Sequence, residues 1–157
     1  MKTLFNKTSL LLILLFLITI SSCSNKIVPT SEANYVSGKE GYITIRAIGY
    51  GKNEQEAIGN AEKQAINVIL FRGLPESEQK TALIGTDESA EIGKNKVYFE
   101  KFYNQKRYKT FIMSSIPVSA FAKQNGGSKS IAVDVKINLV ALRKDLEQNN
   151  VIRKFGF

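Results

Sequence analysis

Apolar and polar positions alternate through Gly41–Tyr50 (GYITIRAIGY), with Ile43, Ile45 and Ala47 on one side and Tyr42, Thr44 and Arg46 on the other. A period of two predicts a strand with one buried face. Gly49 and Gly51 flank Tyr50 and end it. The period then changes. Asn53 with Glu56 has the form of a capping box in which Asn replaces Ser or Thr, and Glu54 and Glu56 fall in a first turn where the helix dipole favours anions. Ala57, Ala61 and Ala65 recur every fourth residue, with Ile58, Val68 and Ile69 beside them. This predicts a helix to about Phe71 whose small side chains let it lie close on a sheet. Gly73 suits the position after the helix, and Pro75 blocks its continuation.

The pattern is weaker over Glu76–Asn95, which reads as a long loop. Lys96–Tyr103 (KVYFEKFY) is ambiguous between a short helix and a strand, while Arg107–Met113 and Ile116–Ala122 read as extended. Asn125-Gly126-Gly127 is a turn signal. Ile131, Val133, Val135, Ile137 and Leu139 then alternate with polar or small residues, the clearest strand of the chain, and Leu142–Asn150 reads as a short helix. The predicted fold is α+β. It has a small antiparallel sheet with one long helix packed on one face, a strand–helix–strand–strand core, and a short C-terminal helix.

The N-terminal pattern is of another kind. Lys2 and Lys7 precede an almost purely apolar run over Ser9–Ile20, followed by Ser21, Ser22 and Cys23. A run of about 12 apolar residues is short of the ~20 that span a bilayer, so it reads as an export signal. Ile20-Ser21-Ser22-Cys23 resembles a bacterial lipobox, in which the Cys is lipidated and becomes the first residue. The resemblance implies two or three acyl chains on Cys23. One long chain contributes about 10 kcal/mol before entropy losses, so two or more anchor stably. By analogy with lipoprotein sorting, Ser24-Asn25-Lys26 carries neither the Asp of inner-membrane retention nor an acidic export run. The expected location is the outer membrane, on the periplasmic side. Residues 1–22 are then the signal peptide, residues 23–39 a lipidated N-terminus with a flexible tether, and residues 40–157 a single domain. A tether of about 16 residues reaches at most ~50 Å.

A second resemblance rests on Ala47-Ile48-Gly49-Tyr50-Gly51-Lys52, followed by Glu56-Ala57-Ile58, Asn60-Ala61 and Ala65. This stretch is similar to the LPP20-like lipoproteins and to the amino-terminal domain of the flagellar assembly protein T family. Both place a strand and a Gly-rich turn before a helix with a repeated Ala face. The resemblance covers Ile43–Phe71 and implies a periplasmic scaffold or assembly role, with no catalytic residues to carry over.

Composition narrows the chemistry. The 157 residues include no His, no Trp and one Cys, and carry a formal charge of +8, which becomes +6 when Lys2 and Lys7 leave with the signal. Without His there is no general base of the usual kind and no Ser-His or Cys-His pair. A single Cys forms no intramolecular disulfide and no CxxC site. Gly49-x-Gly51 before a helix is a fragment of a phosphate-cradling turn, but Glu54 stands where the third Gly belongs, and a tight turn is the better reading. Three acidic pairs, Glu76 with Glu78, Asp87 with Glu88 and Asp145 with Glu147, read as solvated acids rather than a glycosidase pair.

The richest segment is Lys94–Phe111, where Lys94, Lys96, Lys101, Lys106, Arg107 and Lys109 interleave with Tyr98, Phe99, Phe102, Tyr103, Tyr108 and Phe111. Two readings stand side by side. The aromatics are core and the cations an outer face, or Lys101, Lys106, Arg107 and Lys109 form a ligand or partner surface. Single-stranded nucleic acid suits such a segment in general but not an exported lipoprotein. The expectation is therefore a non-enzymatic envelope lipoprotein without cofactor or metal, held in the membrane by Cys23. It would act as a scaffold or assembly factor on an envelope protein partner. The alternative is a binding module for peptidoglycan or anionic lipid through residues 94–111.

Overall fold

The computed structural model describes residues 32–124 and 127–154. The signal segment, Cys23, tether residues 24–31, two of the three turn residues at 125–127 and the last three residues lie outside them. The elements in order are β1 (Ala33–Lys39), β2 (Tyr42–Gly51), α1 (Glu54–Phe71), α2 (Glu88–Lys94), α3 (Lys96–Phe99), β3 (Ile112–Pro117), β4 (Ala122–Lys123), β5 (Lys129–Asn138) and α4 (Leu139–Gln148). A π turn over Glu100–Asn104 continues α3, and a 3-10 helix over Arg107–Phe111 leads into β3.

The sheet is antiparallel throughout, in the order β1-β2-β5-β3, with β4 also paired to β5. The long helix α1 packs across it, so the α+β class and the strand–helix–strand–strand core are as the periodicity predicts. Ile43, Ile45 and Ala47 of β2 meet Val133, Val135 and Ile137 of β5 in register, and all six are buried beneath Ala57, Ala61 and Ala65. Each buried Ile or Val side chain here contributes about 1.5–3 kcal/mol.

The caps are those the sequence indicates. Asn53 Oδ1 accepts the Glu56 N–H at 2.9 Å, and the Glu56 carboxylate accepts the Lys52 N–H at 2.9 Å. Gly73, at φ +76°, donates its N–H to the Val68 carbonyl at 2.7 Å and closes α1.

Four expectations need correction. Ala33–Lys39, assigned to the tether, is strand β1, paired with β2 from Ala33↔Ala47 to Lys39↔Tyr42. The folded unit therefore begins before residue 40. A bulge between Tyr35 and Ser37 breaks the alternation that would have revealed it. The long loop 76–95 contains a helix, α2, capped by Asp87 Oδ1 on the Ala90 N–H at 3.0 Å. Arg107–Phe111 is a 3-10 helix rather than extended chain, because Tyr108 and Phe111 are both buried and three residues apart. The C-terminal helix starts at Leu139, not Leu142, with Asn138 Oδ1 accepting the Ala141 N–H at 2.9 Å.

Candidate functional site

Segment 94–111 divides its residues cleanly. Tyr98, Phe99, Phe102, Tyr108 and Phe111 are buried, and Tyr103 is half-buried. Their positions at 98, 99, 102 and 103 put them on one side of the helical turns, against Phe71 of α1. Ring centroids lie 5.9 Å apart for Phe71–Phe99, 5.4 Å for Tyr98–Phe102 and 6.1 Å for Phe102–Phe111. The aromatics are thus a core cluster, in the edge-on and offset contacts that aromatic rings favour. They are not a stacking platform for bases or sugars. Lys94, Lys96, Lys101, Lys106 and Lys109 remain exposed.

The four candidate cations do different things. Arg107 pairs with Asp145 of α4, and the Tyr98 hydroxyl donates to the other oxygen of the same carboxylate at 2.8 Å. Burial, followed by this bond to a carboxylate, pushes the Tyr98 phenol above its ordinary pKa. Lys109 reaches back to α1, its Nζ 2.8 Å from Glu62 Oε2, and the bond to Glu62 raises the Lys109 pKa. Glu62 is only 8 % exposed, and its other oxygen accepts the Ser115 hydroxyl at 2.8 Å. Lys106 holds a left-handed backbone, φ +57°, where the chain turns into the 3-10 helix. Lys101 is exposed. The expected four-residue surface is therefore split. Arg107 and Lys109 are committed to ion pairs within the fold, and Lys101 and Arg107 share one depression that Lys106 and Lys109 do not line.

That depression has a volume of about 400 Å³. Lys94, Lys96, Lys101 and Arg107 line it with Val97 and Tyr98, and no carboxylate does. Of these, Lys94 has its Nζ 2.7 Å from Glu91.

The Gly49–Gly51 turn opens on a second depression of about 570 Å³, lined by Glu56 and Lys52. The carboxylate in that lining is Glu56, not Glu54, and it stands beside Lys52 and Lys129. Three of the six paired acids have duties within the fold. Asp87 caps α2, Glu88 accepts from the Asn67 amide at 3.3 Å, and Asp145 holds Arg107 and Tyr98. Among the described residues no group of three His, Cys, Asp or Glu side chains forms a metal site, and no helix is long and apolar enough to cross a membrane.

Sequence reasoning missed Glu62 and Asp145 as partners of the cations. A signal existed for Glu62, which lies four residues after Ile58 and three before Ala65, on the buried stripe of α1. A carboxylate there requires a cation from elsewhere. Scans against protein-family models, curated proteins and solved structures return no match to this chain.

Proposed function

We propose that this chain is a non-enzymatic lipoprotein of the bacterial envelope. It is anchored by acyl chains on Cys23 to the periplasmic side of the outer membrane, and it works as a scaffold or assembly factor through protein contacts. The anchor is supported by the lipobox-like Ile20-Ser21-Ser22-Cys23 after an apolar run. The likeness of Ile43–Phe71 to envelope lipoprotein domains supports the same compartment.

The single observation that supports a contact role is the face of the sheet turned away from α1. The register puts Tyr42, Ile48 and Tyr50 of β2 and Ile116 of β3 on that face, around the Arg46–Asp134 pair. Ile116 is 58 % exposed, and Val118 just beyond β3 is also exposed. Aromatic and aliphatic side chains around a fixed Arg are the composition of protein-contact surfaces. Arg46 donates to both Asp134 oxygens, at 2.7 and 2.9 Å, so its guanidinium is held in place.

The test is partner capture from solubilised envelopes with the native chain and with Ile116→Lys/Val118→Lys. The proposal expects a discrete partner that the double variant loses while keeping its fold. A native chain that captures nothing, in a strain where deletion has no envelope phenotype, rejects the scaffold role.

A further inference from the structure

We infer that the α2–α3 corner is a membrane-contact face that docks on anionic phospholipid headgroups, with Val97 entering the headgroup layer between lysines. The choice of a bilayer rests on the envelope location proposed above.

Three observations carry it. The first is charge. Lys94, Lys96, Lys101 and Arg107 line one depression with no carboxylate among them. Lys94 and Arg107 are partly neutralised by Glu91 and Asp145, neither of which lines the depression. Lys96 and Lys101 are exposed and take part in no ion pair among the described residues. Each such residue near an anionic surface strengthens attachment about fivefold.

The second is Val97. It is 71 % exposed, more than any other large apolar side chain described. It lies beside Lys96 in sequence and one helical turn before Lys101. A free phosphate or a carboxylate of a polymer gains nothing from an exposed apolar side chain in the lining of its site. A bilayer does, because the side chain leaves water at the boundary of headgroups and acyl chains while the lysines stay at the phosphates.

The third is rigidity. The corner is backed by Tyr98, Phe99 and Phe102 in the core and tied to α4 by Arg107 and Tyr98 on Asp145. The cations are therefore presented on a fixed frame, and little order has to be gained on docking.

The experiment uses the full chain with Val97→Cys carrying a polarity-sensitive dye. It is mixed with vesicles of phosphatidylcholine, or of phosphatidylcholine with phosphatidylglycerol. The expected result is a blue-shifted emission on the anionic vesicles only. The shift is reversed in about 1 M salt, where the Debye length is ~3 Å. It is absent in Lys96→Glu/Lys101→Glu and intermediate in Lys96→Gln/Lys101→Gln. No shift on either vesicle, an equal shift on both, or a shift produced by inorganic phosphate without vesicles overturns the inference. The intact mass of the labelled chain judges the anchor separately. One dye with acyl chains means Cys23 is lipidated, and two dyes without them mean it is not.

Discussion

A Cβ added to Gly49 would stand 1.9 Å from the carbonyl oxygen of Ala57. The β2 and α1 backbones meet there with no room for a side chain, which is why Gly49 precedes a helix with an alanine stripe. Gly49→Ala must push the helix off the sheet and is expected to cost about 3 kcal/mol, the upper range of overpacking. Gly59, in the same helix, has nothing within 4 Å of its missing Cβ. Gly59→Ala should stabilise the fold by about 0.5–1 kcal/mol through helix propensity and unfolded-state entropy. Denaturant titration of the two variants checks both signs.

Glu62 gives a second prediction. Lys109→Met leaves its carboxylate buried with only the Ser115 hydroxyl as partner. Because Lys109 is partly exposed and its ion pair is screened, the expected loss is about 1 kcal/mol rather than the larger cost of a fully buried pair. Adding Glu62→Met removes the stranded charge, and the double variant should recover part of that loss. A double variant less stable than Lys109→Met alone would show that the carboxylate has another stabilising role. Thermal melts of the four-member cycle decide it.

The pH dependence follows from the same contacts. Burial raises the phenols of Tyr98 and Tyr103 above their ordinary value, and Glu62 raises Lys109. Above pH ~10 the unfolded chain releases protons that the folded chain retains. Stability is therefore full below that pH and falls as pH rises further. Tyr98→Phe and Tyr103→Phe should each flatten the alkaline limb. In acid the sign reverses. Arg46 holds the Asp134 carboxyl below its ordinary value. Its contribution is present above pH ~4 and lost as pH falls through the lowered value, and Asp134→Asn should remove that part of the acid limb. Melting temperatures across pH, for native chain and variants, test both limbs.

Much of this fold is legible in the sequence, because β2, α1 and β5 have long, unbroken periods and α1 has both caps. The elements that escape do so for local reasons. β1 is an edge strand with a bulge after Tyr35, so Tyr35 and Gly38 fall out of step and its polar residues resemble a tether. In 96–111 the aromatic spacing of one, three and four residues serves helical turns, but short turns of π and 3-10 type have no sustained period to read. The candidate surface was legible as cations next to aromatics. Its division was not, because Arg107 meets Asp145 across 38 residues and Lys109 meets Glu62 from a different element. Long-range pairing of that kind is set by the packing of α1 and α4, not by the segment itself.

The proposed role depends on Cys23 holding this domain at a membrane. Intact-mass analysis of the chain from separated envelope fractions, beside Cys23→Ser, is the decisive measurement. The prediction is a chain beginning at Cys23 with added acyl mass in the outer-membrane fraction, and an uncleaved, unacylated precursor for the variant. A native chain that keeps Met1–Ser22, or that carries no acyl mass on Cys23, contradicts it.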